Sequence, residues 1–301
     1  MADLSLIAAI ELCLGHGLTI ERELGSGVMS SVYLARRGNG DGEQRERIVI
    51  KVMRLGTRGA QAEERFFREM RILRKLDHPR ILPVLDVGEA NGVLFFTMPY
   101  LQGKTLREWL HARATLPPRH ALLVARDVVD ALGHAHARGV VHRDVKPENI
   151  LLAQEGAYLL DFGLAWAPGL TGDEAVTREA RFIVGTPDYM SPEQVSGKHG
   201  EDWRGDFFSL GCVMYEMLTG RTPFGAGSAR ARMRRRLTET PADVRALRPG
   251  VPESVAAIIS RALAVDPSGR FATAGLMRLA IDTALAALDP QPGDDAGITR
   301  G

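Results

Sequence analysis

The residues with the clearest chemistry lie in the octapeptide His142–Asn149, HRDVKPEN, and in the tripeptide Asp161–Gly163, DFG, which follows a short hydrophobic hairpin. The first segment places a carboxylate, an ammonium group and an amide on one loop, and the second adds another carboxylate. Carboxylate and amide oxygens are hard ligands of the kind that Mg²⁺ takes. With a base and a lysine, they are the parts needed to hold a nucleoside triphosphate while a hydroxyl attacks its γ-phosphate. The pattern therefore indicates phosphoryl transfer.

The two segments, in this order, resemble the catalytic loop and the DFG segment of protein kinases, H-R-D-x-x-x-x-N and D-F-G. The resemblance implies an α+β, two-lobed protein kinase fold, with a small β-rich N-lobe that contains one helix and a larger, mainly helical C-lobe. It implies ATP and Mg²⁺ as cofactors. Asp144 is the expected base for the acceptor hydroxyl, and Lys146 is expected to neutralise charge on the transferred phosphoryl group. Asn149 and Asp161 are the expected Mg²⁺ ligands.

A glycine-rich segment, Leu24–Val32, lies between two predicted strands. Gly25 and Gly27 allow the backbone to approach phosphate oxygens without interference from a Cβ atom. The segment resembles the kinase Gly-rich loop G-x-G-x-x-G-x-V, with Ser30 in place of the third glycine. A Gly-x-Gly hairpin alone is more often a tight turn, but the strand that follows argues against a Rossmann site, which needs a helix there. The residues expected to contact the nucleotide are Leu24, Gly25, Gly27 and Val32.

Lys51 follows this segment at the spacing of the kinase lysine that pairs with nucleotide phosphates and with a helix glutamate. A lysine on a strand is usually solvated, so a role in nucleotide binding is inferred for Lys51 only because it follows the glycine-rich segment. Glu69, in the predicted helix Ala60–Leu76, is the expected partner of Lys51. Glu63 and Glu64, nearer the start of that helix, are the alternatives.

The segment Phe96–Leu101 resembles the hinge that joins the two kinase lobes, with Met98 as the gatekeeper. In the family, adenine is bound there through the carbonyl of the next residue and the backbone groups two residues further on. These positions are Pro99 and Leu101, so the missing N–H of the proline removes no donor that is needed. Leu151 is the expected floor of the adenine pocket.

Two structural anchors are also implied by the resemblance. Ser191–Glu193 matches the A-P-E motif with serine in place of alanine, and its glutamate is expected to form a buried ion pair with Arg270. Asp206, at the start of an apolar helical segment, matches the aspartate that holds the backbone of the catalytic loop.

The type of kinase follows from Lys146 together with Thr186, which matches the serine/threonine pattern rather than the tyrosine pattern. The resemblance covers roughly Leu18 to Leu285, and the motif sequences are most similar to those of bacterial Hanks-type kinases. We therefore expect Ser/Thr hydroxyls of protein substrates as acceptors. Two alternatives stay open: a pseudokinase scaffold that binds nucleotide without turnover, and a small-molecule kinase, against which the Thr186 and Ser-Pro-Glu segments argue.

Regulation is expected in the loop from Leu164 to Tyr189. Thr177 and Thr171 are the predicted autophosphorylation sites, with Arg143 as the group that binds the phosphate. A transient homodimer for trans-autophosphorylation follows from this hypothesis, whereas a loop threonine without a role is the alternative. The arginine run Arg230–Arg236 predicts either a solvated helix face or a docking surface for an acidic partner.

Bulk composition sets the remaining limits. The 301 residues include 38 basic and 37 acidic side chains, which gives no reason to expect a nucleic-acid partner. No apolar run approaches the ~18 residues of a membrane span, and the apolar stretch near the start lacks the basic leader of a secretory signal. Cys13 and Cys212 lie far apart in the sequence and form no motif, so a cytoplasmic location is expected. Tethering to a membrane through a segment absent from this chain is the alternative.

The predicted organisation is a helical lead-in (1–17), an N-lobe (18–101), a C-lobe (102–288) and a disordered tail or linker (289–301). The small β-rich lobe, a junction near Gly103 and the helical lobe predict a cleft, where small ligands usually bind. The predicted strands are Thr19–Leu24, Val28–Arg36, Ile48–Met53, Leu82–Val87 and Val93–Met98. The predicted helices, besides Ala60–Leu76, are Pro118–Arg138, Gly205–Thr219, Ser254–Ala264 and Ala272–Ala287.

Overall fold

The computed structural model describes residues 4–15, 18–27, 30–38, 46–53, 60–162, 187–197 and 202–288. Contacts between Cα atoms divide the chain into two compact units. Unit 1 contains Met1–Asp77 and Leu82–Leu101, and unit 2 contains His78–Ile81 and Gln102–Gly301. Unit 1 is built mainly of strands and unit 2 mainly of helices, so the expected α+β class is confirmed.

Unit 1 is a five-stranded antiparallel sheet with two helices. Its elements are α1 (Leu4–Leu14), β1 (Leu18–Ser26), β2 (Ser30–Arg37), β3 (Glu46–Met53), α2 (Ala60–Leu73), β4 (Val87–Ala90) and β5 (Val93–Pro99). The strand order is β1-β2-β3-β5-β4. Because β3 is central, its last six residues are all buried, including Lys51.

The two faces of this sheet differ in what they carry, since side chains alternate along a strand. One face forms an apolar cluster in which Ile50 and Phe95 pack with Ile10 of α1. The opposite face carries Lys51, whose cross-strand neighbours are Val32 on β2 and Phe96 on β5. Helix α1 therefore covers the face of the sheet that Lys51 does not occupy.

The predicted strand Leu82–Val87 is wrong, because β4 begins only at Val87 and ends at Ala90. Pro83 has no N–H to donate to a ladder. At Asp86 the backbone N–H donates to the side-chain Oγ1 of Thr97, at 3.0 Å, rather than to a strand carbonyl. The Leu85 N–H donates to the Thr97 carbonyl and the Thr97 N–H donates to the Asp86 carbonyl, at 2.8 Å each. Two residues thus face one, as in a β-bulge, and regular pairing starts only at Val87.

A short segment departs from the predicted N-lobe range 18–101, since His78–Ile81 belongs to unit 2. The N–H of Leu159 donates to the carbonyl of Arg80 at 3.0 Å, and Ile81 forms a bridge with Leu159. The Arg80 guanidinium also lies 3.4 Å from the Asp127 carboxylate. Four residues of the predicted first lobe are therefore held by the second unit.

Unit 2 consists of a three-stranded sheet and a set of helices. Its strands are β6 (Gly103–Thr105), β7 (Ile150–Ala153) and β8 (Gly156–Leu159), in the order β6-β7-β8. Its helices are α3 (Leu106–Arg113), α4 (Pro118–His136), α5 (Pro192–Ser196), α6 (Arg204–Thr219), α7 (Ala229–Thr238), α8 (Val244–Leu247), α9 (Glu253–Ala262) and α10 (Ala274–Ala286). Short 3₁₀ turns lie at Pro147–Asn149, Pro187–Tyr189 and Pro267–Gly269.

Helix α6 is the centre of this unit, as its all-round apolar pattern predicted. Every residue from Gly205 to Leu218 is buried. A Cβ atom at Gly211 would lie 2.9 Å from the Cβ of Ala262, so glycine allows α6 and α9 to approach closely. The predicted helix Pro118–Arg138 ends at His136, and Gly139 turns the chain at a φ of 73°.

Three groups of sequence predictions lie outside the described residues. These are Val28 in the Gly-rich segment, the loop residues Gly163, Thr171, Thr177 and Thr186, and the tail 289–301. In the described part of the chain, no helix is both long and apolar enough to cross a membrane.

Candidate active site

Asp144 is held in a fixed orientation by two neighbours in its own loop. The Lys146 ammonium donates to Oδ2 of Asp144 at 2.7 Å, and the Asn149 amide donates to the same oxygen at 3.0 Å and to the Asp144 carbonyl at 2.8 Å. The 3₁₀ turn Pro147–Asn149 allows this contact, since it brings Asn149 back towards the start of the loop. Base, lysine and amide are thus brought together as the sequence pattern suggested.

The backbone of this loop is anchored by Asp206, the third residue of α6. One of its carboxylate oxygens accepts from the N–H of Arg143 at 2.8 Å, and the other accepts from the N–H of His142 at 2.9 Å. The second oxygen also lies 2.8 Å from Nε2 of His136. The expected role of Asp206 is confirmed, and a fully buried carboxylate is satisfied by three polar groups.

His142 connects the loop to the end of the β7–β8 hairpin. The N–H of Asp144 donates to Nδ1 of His142 at 3.2 Å, so Nε2 carries the proton and donates to the carbonyl of Leu160 at 2.7 Å. The imidazole ring packs edge-to-face against Phe162, with 4.7 Å between ring centres. The residues on both sides of Asp161 are therefore bound to the segment that carries Asp144.

Two residues of the site adopt left-handed backbone conformations that L-residues with side chains rarely take. Arg143 has a φ of 67° and Asp161 has a φ of 61°. Such conformations cost on the order of 1–3 kcal/mol and persist where surrounding bonds hold them. For Arg143 these bonds run from its N–H to Asp206 and from the Gln194 amide to its carbonyl, at 2.8 Å.

In unit 1, Lys51 is almost fully buried, with 8% of its surface exposed. Glu69 is half-buried on α2, on the turn that also carries the buried Phe66 and Met70. The alternatives Glu63 and Glu64 are exposed. Burial thus separates Glu69 from its two neighbours as the glutamate that lies on the packed side of the helix.

The described residues of the Gly-rich segment, Leu24–Gly27 and Ser30–Val32, lie at the end of β1 and the start of β2. Gly25 is the partner of Val32 across the ladder, and the N–H of Gly27 donates to the carbonyl of Ser30 at 2.8 Å. Neither glycine has a positive φ. A Cβ atom at Gly25 would meet nothing within 4 Å among the described atoms. Local packing and backbone conformation therefore do not require glycine at position 25.

The predicted adenine contacts lie at strand ends in both units. Met98 and Pro99 close β5, where they pair with Val49 and Ile48 of β3. Leu24 is exposed near the end of β1, and Leu101 is half-buried just after β5. Leu151 lies in β7 of unit 2, opposite Thr105.

The predicted ion pair between Glu193 and Arg270 is confirmed. The guanidinium binds the carboxylate through two parallel bonds of 2.7 and 2.9 Å, and the Arg270 side chain is fully buried. The remaining donors reach the carbonyls of Ala264, Val265 and Arg204. This arginine therefore connects the start of α5 with the segments around α6 and α9.

A polar network next to the loop was not anticipated from the sequence. Arg107 on α3 binds Glu148 of HRDVKPEN at 2.8 Å, Glu216 of α6 at 2.7 Å, and the hydroxyl of Tyr189. Burial and the negative charge of Glu216 raise the pKa of Tyr189, so its hydroxyl stays protonated and donates to Glu216. Burial alone lowers the pKa of Arg107, but its bonds to Glu216 and Glu148 raise it above the usual value.

The donor set fits a Mg²⁺ ion. Both N–H groups of the Asn149 amide side chain point at Asp144, which leaves the amide oxygen as the group that can ligate a cation. Among the residues that the structure describes, no cluster of three His, Cys, Asp or Glu side chains could hold a metal alone. Mg²⁺ needs no such cluster here, because it takes one or two protein ligands together with substrate phosphates.

Comparison with known proteins agrees with this geometry. Residues 18–280 match the family described as the protein kinase domain. The chain is 36% identical over 283 residues to serine/threonine-protein kinase PknH of Mycobacterium bovis, covering 93% of this chain and 46% of the relative. It is 39% identical over 261 residues to PknB of Mycolicibacterium smegmatis, covering 85% and 41%. It is 38% identical over 271 residues to PrkC of Bacillus subtilis, covering 89% and 40%.

The chain therefore spans less than half the length of these curated relatives. The family match, in contrast, includes both units and every residue of the candidate site. The β-rich first unit and the helical second unit agree with the two-lobed fold that the resemblance implied. On these grounds the chain belongs to the protein kinase domain family.

Proposed function

We propose that this chain is a serine/threonine protein kinase that transfers the γ-phosphoryl group of Mg²⁺-ATP to Ser/Thr hydroxyls of protein substrates. The observation that carries the proposal is the fixed orientation of the Asp144 carboxylate by Lys146 and Asn149. The printed names of the relatives, which are serine/threonine-protein kinases, support the same acceptor class.

Each group in this loop has a proposed role. Asp144 orients the acceptor hydroxyl and accepts its proton. Lys146, which is half-exposed beside it, neutralises charge on the transferred group. Asn149 and Asp161 hold Mg²⁺ together with phosphate oxygens, and the ion offsets the negative charge of the triphosphate.

Nucleotide binding is assigned to residues that the sequence singled out in both units. Lys51 binds the phosphates and is oriented by Glu69. The open space beside the backbone at Gly25 supports this assignment, because a ligand that approaches the main chain is a physical reason for glycine where packing gives none. The remaining proposed contacts are Leu24, Gly25, Gly27, Val32, Met98, Pro99, Leu101 and Leu151.

The direct test is transfer of labelled phosphate from ATP to a generic protein acceptor. Asp144→Asn should reduce transfer by several orders of magnitude while the affinity for Mg²⁺-ATP stays close to that of the wild type. Asp77→Asn, which changes an exposed carboxylate, is the matched control and should retain activity. A wild type that binds ATP but is as inert as Asp144→Asn would instead support a non-catalytic scaffold.

Autophosphorylation is the second part of the proposal. Thr177 and Thr171 are the proposed sites, modified in trans within a transient homodimer. Phosphopeptide mapping after incubation with ATP identifies the sites, and a rate that rises with the square of the protein concentration indicates trans reaction. Unmodified loop peptides would contradict this part alone.

We place the reaction in the cytoplasm. Cys13 and Cys212 are free thiols, as is usual in a reducing compartment. Reaction of both thiols with a maleimide on unfolding, without a reductant, is the expected result.

A further inference from the structure

The arginine run of α7 is not a uniform solvated face. Arg230 and Arg234 are exposed, whereas Arg236 is buried with 1% of its surface exposed. Arg232 and Arg235 are half-buried. The sequence predicted either a solvated helix face or a docking surface for this run. Neither prediction explains why some of these arginines face the interior.

Two of these arginines hold one short turn. The guanidinium of Arg236 donates to the carbonyl of Pro187 and, at 2.7 Å, to the carbonyl of Asp188. Arg232 donates to the carboxylate of Asp188. The turn Pro187–Tyr189 is therefore fixed from the side of α7 by its main chain and by its acidic side chain.

The burial of Arg236 is unfavourable for stability. Its guanidinium binds two neutral carbonyls and packs 5.1 Å from the ring centre of Phe224. Within the described part of the chain, its Nε atom meets no acceptor. Burial accordingly lowers the pKa of this arginine. Arg236 is retained there because its bonds to the turn offset the cost of taking its charge out of water, so these bonds are what its burial achieves.

The turn that these arginines hold is itself bonded to the proposed catalytic loop. The Tyr189 hydroxyl binds Arg107 and Glu216, and the Ser209 hydroxyl donates to the Tyr189 carbonyl at 2.7 Å. Arg107 binds Glu148, the residue just before Asn149. A continuous set of polar contacts thus runs from α7 through the turn to the loop that carries Asp144.

We propose that Arg236 and Arg232 are positioning residues that fix the Pro187–Tyr189 turn so that a protein acceptor is held correctly at Asp144. This inference rests on the proposed kinase function. The described contacts of the turn lie within unit 2 and include none of the residues proposed to bind ATP. Loss of either arginine should therefore affect the protein acceptor and leave nucleotide binding unchanged.

The test compares inward-facing and outward-facing arginines of the same helix. Arg236→Met keeps an apolar stem of similar width but removes the guanidinium donors, and Arg232→Ala removes the bond to Asp188. Arg234→Met and Arg230→Ala are the matched controls. The measurements are kcat and KM for a serine-containing peptide acceptor, the Kd of Mg²⁺-ATP by direct binding, and Tm.

Arg236→Met and Arg232→Ala should lower kcat/KM for the acceptor by between about tenfold and a hundredfold, the range expected for misplaced reactants. The Kd for ATP should match that of the controls, whereas the Tm of Arg236→Met should fall because two buried carbonyls lose their donors. Asp188→Asn should reproduce the defect of Arg232→Ala, and the double variant should be no worse than either single change. The Arg232 and Asp188 variants, whose side chains are only half-buried, still test the proposal if Arg236→Met does not fold.

Two results would overturn the inference. One is acceptor kinetics for Arg232→Ala and Asp188→Asn equal to those of the controls in an active enzyme. The other is a loss of ATP affinity parallel to the loss of acceptor turnover, which indicates general damage to the fold. A wild type that transfers no phosphate would remove the kinase proposal and this inference together, so the two failures are distinguishable.

Discussion

Arg143 combines a left-handed backbone with anchors on both of its peptide groups, and it immediately precedes Asp144. Its N–H is bound by Asp206 and its carbonyl by Gln194. Gln194 also completes a capping box with Ser191, in which its Oε1 accepts from the Ser191 N–H at 2.9 Å. One amide side chain therefore caps α5 with its oxygen and holds the loop that carries Asp144 with its nitrogen.

Gln194→Glu separates these two tasks. A carboxylate keeps an acceptor for the cap but replaces the N–H that faces Arg143 with an oxygen. We expect kcat to fall by about tenfold, an energetic loss of ~1.4 kcal/mol, with little change in KM for ATP. Gln154→Glu, at an exposed turn, is the control. Equal turnover of the two variants would show that the bond to Arg143 has no role in orientation.

Asp127 illustrates how burial sets a pH dependence. It accepts from the N–H of Ala157 at 2.9 Å, and burial raises the pKa of its carboxyl above the ordinary value of 3.8. Because the folded pKa is the higher one, the stability that this group contributes is fully present below 3.8 and is lost as pH rises through the folded pKa.

Asp127→Asn should remove this dependence, since an amide keeps an acceptor for Ala157 but does not ionise. The free energy of unfolding, measured in urea at increasing pH, should become progressively larger for the variant than for the wild type, because only the wild type loses stability as Asp127 ionises. Glu155→Gln, exposed in the adjacent turn, is the control. A wild type and an Asp127→Asn variant that differ by a constant amount at every pH would contradict the expected shift.

At the scale of elements, α1 shows how a mostly apolar helix completes a sheet. Ile10 is fully buried in the apolar cluster on one face of the unit 1 sheet, whereas Leu12 is 77% exposed on the same helix. Apolar burial holds α1 on the sheet, and the Glu11 carboxylate adds one bond by accepting from the N–H of Ile20 at 3.1 Å.

Ile10→Ala should lower the free energy of unfolding by about 2–5 kcal/mol, the usual range for truncating a buried aliphatic side chain. Leu12→Ala, the matched change two positions away, should stay within ~0.5 kcal/mol of the wild type. Urea unfolding followed by tryptophan fluorescence gives both values. If the two substitutions cost the same, α1 does not pack on the sheet as described.

The elements also show what sequence reasoning could find. The strands and helices of strong periodicity were predicted with the right type, and their predicted ends lie within three residues of the observed ones. The predicted strand Leu82–Val87 was wrong because Leu85 and Asp86 both bond to Thr97, so regular pairing starts only at Val87. The anchors Asp206 and Glu193 were found because each lies in a recognisable local motif. The contacts of Arg107 and Arg236 were not found, since they join side chains from distant segments that only the fold brings together.

At the scale of the molecule, buried charged groups connect segments that are far apart in the sequence. The pair between Glu193 and Arg270 joins the segment before α6 with the segment after α9. Removing one partner of a buried pair leaves the other charge without compensation, which costs more than the pair itself contributes.

Arg270→Met should therefore destabilise the chain by about 3–5 kcal/mol, the range for breaking a buried ion pair. Arg278→Met provides the comparison, because Arg278 binds Asp130 and Asp282 near the surface and such pairs contribute only about 0–1 kcal/mol. Calorimetric melting of both variants measures the difference. Equal melting temperatures for the two variants would mean that the Glu193–Arg270 pair contributes no more stability than a surface pair.

The position of α1 has a practical consequence for work on shortened forms of this chain. The stretch that matches the family begins at residue 18, so trimming to those limits removes the helix and keeps the surface beneath it. That surface, which includes Tyr33, Ile50 and Phe95, would then be exposed to water as a contiguous hydrophobic patch. Exposed areas of this kind promote self-association. A version cut at Leu18 should therefore aggregate at concentrations where one that begins at Met1 remains dispersed.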